Sequence, residues 1–370
     1  MAATLHDVSR LAGVSIKTVS NVINDYPYVR DSTRQRVLAA IAELDYTPNL
    51  SARSLRSGRT NVISLLIPEL RNAYFAELAD SVMRAARERG LSVLIEQFGN
   101  DRASELSVLR NRSGRMVDGI LYSVLGLDES DRDTIAEVST PMVLLGERIF
   151  NGPKDHVTMQ NVEGSRAATE LVLAGGRRRV LAIGAHPGEV IGSAGLRLAG
   201  YREALAAAGV AFDERFVVPA GTWHRADGAR AMRAFLETGL AFDAVVAFND
   251  TLALGALRVL QEAGYRVPED VALIGFDDID ETHYSMPTLS TIDPGRDEIA
   301  RRAVELLVRR IDEDADTREP EEIAVPFRVI QRESTPPVLT GVPADRGAAA
   351  VGAAGLGAEA VGPALVGPEA

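Results

Sequence analysis

The 370-residue sequence predicts a small all-α helix-turn-helix domain followed by a two-lobed α/β body of parallel sheets with helices on both faces. Three observations carry this expectation. The first is a pair of short amphipathic stretches around Gly13. The second is an alternation of apolar runs with amphipathic stretches from residue 61 to 335, falling into two similar halves. The third is a division of charge between a basic head and an acidic body.

Thr4 stands where an N-cap is needed, with Asp7 three residues on in the capping-box place. Leu5, Val8, Leu11 and Ala12 then share one helical face. Gly13 falls where the chain must turn sharply, a position that favours a residue tolerating positive φ. Ser15 restarts a second helix as its N-cap, and Val19, Val22 and Ile23 face back onto the first. Ile16, Lys17, Thr18, Ser20 and Asn21 remain outward, with Asn24 closing the stretch; these groups can reach base edges. Two short amphipathic helices also occur in proteins that never meet DNA, so the motif alone leaves both readings open.

A third helix is expected over 32–44, with Val37, Leu38, Ile41 and Leu44 apolar and Arg34 and Arg36 able to touch phosphate. Tyr46-Thr47-Pro48-Asn49 ends it, because proline disfavours helix at the residue before it. Residues 49–60 are small, polar and basic, and suit either a flexible linker or a short helix that orders on DNA. Leu55, between Arg53 and Arg56, favours the second: an isolated apolar side chain can wedge between base steps in the minor groove.

The net charge of −12 hides an asymmetry. Residues 1–59 carry eight basic and five acidic side chains, a net +3, which leaves −15 for the remainder. A basic head can dock on phosphates while an acidic body stays away from them. Hydrophobic residues make up 46% and charged residues 25%, ordinary for a soluble globular chain. With no cysteine, disulfides and thiolate metal sites are excluded. No apolar run suits a membrane span and the N-terminus lacks a signal segment, so a cytoplasmic protein that does not engage membranes is expected.

In the body, strands and helices are expected over 62–67, 75–89, 91–98, 104–116, 119–124 and 141–145. A second set runs over 163–174, 180–184, 196–208, 216–219, 226–236, 244–248, 251–263 and 271–276. A last helix over 297–311 and a strand over 323–330 return to the first lobe. In such α/β lobes a ligand sits at the C-terminal ends of the strands, in the cleft. Tyr74 and Phe75 follow the first strand and offer aromatic faces to a ring, or pack beneath their helix.

The stretch Thr4 to Asn24, the run Tyr46-Thr47-Pro48-Asn49 and the hinge Ala52-Arg53-Ser54-Leu55 resemble the lactose-repressor (LacI/GalR) family of bacterial transcription regulators, and the likeness continues to about residue 335. The resemblance implies a periplasmic-binding-protein-like body, a homodimer, and a palindromic operator read in the major groove and at its central minor groove. Base reading would fall on Ile16, Lys17 and Asn21, and the intercalating lever on Leu55. The other DNA-facing positions are Thr4, Ser15, Thr18, Ser20, Asn24, Tyr46, Asn49, Ala52 and Arg53.

Ser193 to Tyr201 matches the family's ligand loop, in which Arg197 would reach the effector. Trp223, the one tryptophan, lies where the family places an aromatic beside the ligand, and Asn249 and Asp277 match its sugar-contacting positions. Two departures stand out. Gly146 followed by Glu147 replaces a frequent aspartate, and Ile191 sits where a purine-responsive relative carries a basic contact. Both disfavour a purine and leave a sugar or sugar derivative as the expected effector.

No P-loop, nucleophile elbow or His-Glu-x-x-His pattern is present, so neither catalysis nor a cofactor is expected. Asp277-Asp278 could form an acidic Mg²⁺ pocket, but no matching lysine accompanies it, and no metal is expected. The expected boundaries are 1–46 for the head, 47–60 for the hinge, 61–335 for the body and 336–370 for a disordered Ala/Gly-rich tail. Within the body, lobe 1 takes 61–160 and 292–335 and lobe 2 takes 161–291. The tail lacks a leucine heptad, which points to a dimer. The expected function is a repressor of carbohydrate-metabolism genes whose operator affinity a sugar changes allosterically. The alternatives are a cytoplasmic solute-binding receptor or an α/β enzyme with an accessory DNA-binding head.

Overall fold

The computed structural model describes residues 3–23, 25–46, 59–99, 101–110, 117–312 and 318–337. Asn24, Asn49, Ala52, Arg53 and Leu55 lie outside them, as do most of the expected hinge and the tail beyond Pro337.

Three helices form the head: α1 (Leu5–Ala12), α2 (Ile16–Ile23) and α3 (Asp31–Glu43). Thr4 and Asp7 close a reciprocal capping box, the Asp7 amide donating to Thr4 Oγ1 at 3.3 Å and the Thr4 amide to Asp7 Oδ2 at 3.0 Å. Gly13 ends α1 at φ +64°, the left-handed region that glycine enters without a Cβ penalty. Ser15 caps α2, accepting from the Thr18 amide at 3.1 Å. Val8, Ala12, Val19, Val22, Val37, Ala40 and Tyr46 make the core. Leu11 and Leu38, expected on the apolar stripes, are 45% and 50% exposed. Each lies at the edge of a stripe whose centre the smaller Val8–Ala12 and Val37–Ala40 pairs fill.

Lobe 1 is a six-stranded parallel sheet, order β11-β5-β4-β3-β1-β2. Its strands are β1 (Val62–Ile67), β2 (Ser92–Gln97), β3 (Gly119–Ser123), β4 (Met142–Leu145), β5 (Asp155–Met159) and β11 (Glu322–Val325). Helices α4 (Ala73–Glu88), α5 (Arg102–Arg110), α6 (Arg132–Ala136) and α11 (Arg296–Asp312) cover it. Lobe 2 is a four-stranded parallel sheet, order β7-β6-β8-β9, from β6 (Val180–Ala185), β7 (Val217–Pro219), β8 (Ala244–Ala247) and β9 (Ala272–Ile274). It carries α7 (Asn161–Ala174), α8 (Ser193–Ala207), α9 (Arg225–Glu237) and α10 (Asp250–Glu262).

The structure differs from expectation at several places, and neither the helix Arg132–Ala136 nor the strand Thr291–Asp293 falls in an expected stretch. β5 does not stand out as a strand because its sequence, Asp-His-Val-Thr-Met, is polar, yet every residue in it is buried. Its charges are satisfied: Arg310 donates to Asp155 at 2.7 and 2.9 Å, and the Glu321 amide at 2.7 Å. The strand expected over 323–330 is two strands. β11 ends before Pro326, and β12 (Arg328–Ile330) pairs antiparallel with β10 (Thr291–Asp293) beside lobe 2. The Leu273 amide donates to Ser334 O at 2.8 Å, so residues 328–335 lie with lobe 2 and not with lobe 1. The chain therefore passes between the lobes after Met159, Asp293 and Val325.

Candidate ligand cleft and DNA-reading face

A cavity of about 360 Å³ opens where the strand ends of the two lobes face each other. Tyr74, Phe75, Glu147, Ser193, Arg197, Trp223, Asn249 and Asp277 all line it. Each reaches it from a strand end or the helix start that follows, because that is where a parallel sheet leaves its backbone uncovered.

Arg197 is buried in the cavity wall. Its Nε donates to Asn161 Oδ1 at 2.7 Å, and an Nη1 hydrogen goes to Phe248 O. The guanidinium lies 3.7 Å over the Phe276 ring and 3.5 Å from Asp277 Oδ1. Burial pushes the Asp277 carboxyl up to about 7, although Arg197 and Arg296 pull it back. Behind it, Asp250 is buried completely and pushed well above the carboxylate range by desolvation, with Asp277 adding to the effect. Asp250 accepts from Thr291 Oγ1 at 2.7 Å and from the Ile279 amide at 3.1 Å, fixing the loop that carries Asp277. That loop is held away from ordinary geometry, with Asp277 at φ +116°; Trp223 stands at φ +60°. The Trp223 indole N–H donates to Gly184 O at 2.8 Å, which fixes the ring against the cavity.

Asp278 turns from the cavity and accepts from Arg332 at 2.7 Å, so the Asp277-Asp278 pair does not converge on one point. Among the described residues no group of three or more His, Asp or Glu side chains is arranged to hold a metal ion.

Contacts across the cleft join the lobes. Ser193 donates to Glu147 Oε2 at 2.6 Å. Arg148 donates to Glu189 Oε2 at 3.0 Å and to Ile191 O at 2.9 Å. His224 Nε2 meets Glu69 Oε1 at 3.0 Å, and the Asp280 amide donates to Glu77 Oε1 at 2.9 Å. Within lobe 2, His186 bridges Glu189 at 3.0 Å and Gly221 O at 2.9 Å, and its hydrogen bond to Glu189 raises its proton affinity. Glu69, Arg148, His186 and Glu189 are cavity residues that sequence reasoning misses. His186 and Glu189 follow β6 directly and Arg148 follows β4, so the strand-end rule that selects Glu147 applies to them equally.

On the head, Lys17 is exposed and Ile16, Thr18, Ser20 and Asn21 are half-buried along one side of α2. Ser15 and Thr18 also bond each other at 2.9 Å, and Thr4 belongs to the capping box. Tyr46 is buried in the head core, where it packs instead of projecting outward. Arg34 ties down the loop after α2, donating to Asp25 at 2.9 Å and to Tyr26 O at 2.8 Å. Arg36 and Arg30 are exposed.

A three-helix head with a turn at Gly13, joined to a body of two parallel-sheet lobes around a cleft, defines a ligand-binding regulator of the helix-turn-helix class. Residues 4–49 match the bacterial regulatory proteins of the lacI family, and residues 169–335 match the periplasmic binding protein-like domain. The ribose operon repressor of Escherichia coli K12 is 34% identical over 310 residues, 84% of this chain and 93% of that protein. A solved LacI-family transcriptional regulator from Sanguibacter keddieii is 52% identical with a TM-score of 0.69, covering 75% of this chain and 99% of that one. The complex of the regulator CelR with cellobiose is 33% identical with a TM-score of 0.66, covering 90% of this chain and 99% of that one. The chain belongs to the lacI family of bacterial transcription regulators. Among the described residues no helix is long and apolar enough to cross a membrane.

Proposed function

We propose that the protein is a repressor of carbohydrate-metabolism genes, acting as a homodimer on a palindromic operator that it releases or grips according to whether a sugar fills the cleft. The observation that carries this reading is the cavity itself. Aromatic faces from Phe75 and Trp223 stand with the polar groups of Glu147, Asn249 and Asp277, a combination that suits the apolar faces and hydroxyl edges of a sugar ring. The cellobiose complex of a relative and the ribose operon named for another support a sugar. Ile16, Lys17 and Asn21 read base edges, and Leu55 wedges the central minor groove when the hinges of two protomers pair.

Gel-shift titrations at fixed salt, with DNA from upstream of the protein's own gene and a sugar panel, test the reading. One sugar is expected to release or tighten a palindromic site. Leu55→Ala is expected to weaken operator binding and spare sugar binding, whereas Asp277→Ala abolishes the sugar response and keeps operator binding. Weak binding that no sugar changes overturns the proposal.

A further inference from the structure

We propose that the cleft selects by charge: it takes an uncharged sugar and refuses phosphorylated or carboxylated derivatives, with Glu147 imposing the choice. The inference rests on the sugar-effector reading and narrows which sugars satisfy it.

The cavity wall carries four acids, Glu69, Glu147, Glu189 and Asp277, against the cationic side chains Arg148 and Arg197 and the imidazole of His186. The basic groups are already engaged. Arg148 is held by Glu189 and Ile191 O, and His186 by Glu189 and Gly221 O. Arg197 spends its Nε on Asn161, turns one face to Phe276 and lies beside Asp277. An anionic ligand therefore meets Arg148 already paired with a carboxylate and Arg197 already committed to Asn161, Phe248 O and the Phe276 ring.

Glu147 sits at the other extreme. It is 6% exposed, and Ser193 donates to Oε2 at 2.6 Å. Its second oxygen, Oε1, is buried in the cavity wall with no hydrogen-bond partner among the described residues. A buried acceptor left unpaired is costly, and a ligand hydroxyl placed against it recovers that cost. A phosphate or carboxylate derivative of the same sugar brings no donor from its anionic group at pH 7 and sets like charge against like in a site of low dielectric. The departure Gly146-Glu147 has this consequence. Gly146 turns at φ +95°, and its carbonyl is bonded to His156 Nε2 at 2.6 Å, which fixes the backbone from which Glu147 extends.

Trp223 is the sole tryptophan and lines the cavity, so its emission reports occupancy in the full-length protein. Titrations with ribose, glucose, galactose and cellobiose are run beside ribose 5-phosphate, glucose 6-phosphate, glucuronate and galacturonate. An uncharged sugar is expected to bind at least about 100-fold more tightly than its anionic counterpart. Glu147→Gln, folded by circular dichroism, is expected to lose about tenfold for the uncharged sugar and to narrow the discrimination. An anionic probe that binds wild-type protein as tightly as the uncharged one overturns the proposal and leaves the sugar-effector reading standing. So does a Glu147→Gln variant with both affinities unchanged. If no probe of either kind binds, the sugar-effector reading itself fails, and this inference with it.

Discussion

Asp277 concentrates the physics of the cleft in one side chain. Its backbone stands at positive φ, its carboxyl is buried, and two arginines only partly offset the desolvation that holds its proton to about pH 7. In the unfolded chain the same proton leaves near 3.8. Stability from this group is therefore complete below about pH 3.8 and lost as the pH rises through about 7, since the folded state holds the proton longer. Asp277→Asn cannot titrate, so urea unfolding across this window is expected to lose that fall, on the order of 1 kcal/mol per pH unit relative to wild type. Parallel pH curves for the two proteins would show that Asp277 titrates as an ordinary surface acid. Such residues are visible in sequence because they terminate apolar strands. The charged neighbours Arg148, His186 and Glu189 are harder to find: charge after a strand reads as ordinary loop polarity until Arg148 of one lobe is seen to meet Glu189 of the other, with His186 bonded to the same carboxylate.

At the scale of elements, the sequence pattern locates nearly every helix and strand wherever burial and apolar character coincide. β1 is the plain case, six residues with five fully buried. The pattern fails where they part. β5 is an interior strand made polar because Asp155 and His156 find Arg310 and Gly146 O as partners, the first of them supplied by a helix far along the chain. The division of the last strand at Pro326 depends on β10, which lies more than thirty residues upstream. The helix pairs of lobe 2 show the reverse, a sequence feature whose meaning only packing reveals. Gly255 of α10 faces the Arg225 carbonyl of α9, and a Cβ there would also stand 2.8 Å from the Ala229 amide. Backbone cannot yield as a flexible side chain does. Gly255→Ala is expected to destabilise the protein by about 3 kcal/mol, read as a lower urea midpoint. An unchanged midpoint would mean that α9 and α10 slide apart freely.

At the scale of the whole molecule, the lobes hold each other through polar contacts around the cavity rim, from Glu147–Ser193 and Arg148–Glu189 to Glu69–His224. Exposed pairs contribute little on their own, but these are largely withdrawn from water and directional. They give the two lobes a definite relative setting that a ligand between them can bias. In the proposed mechanism that setting is passed to the hinge and so to the operator. Coupling between two binding sites is reciprocal: whatever factor the sugar applies to operator affinity, the operator must apply to sugar affinity. The direct measurement is a Trp223 fluorescence titration of the active sugar, with and without saturating operator DNA, at one salt concentration. The sugar dissociation constant is expected to shift by the same factor that the sugar imposes on the operator, about 5- to 150-fold for couplings of this kind. An identical sugar affinity with and without operator would contradict the mechanism, leaving a DNA-binding head and a sugar-binding body that do not communicate.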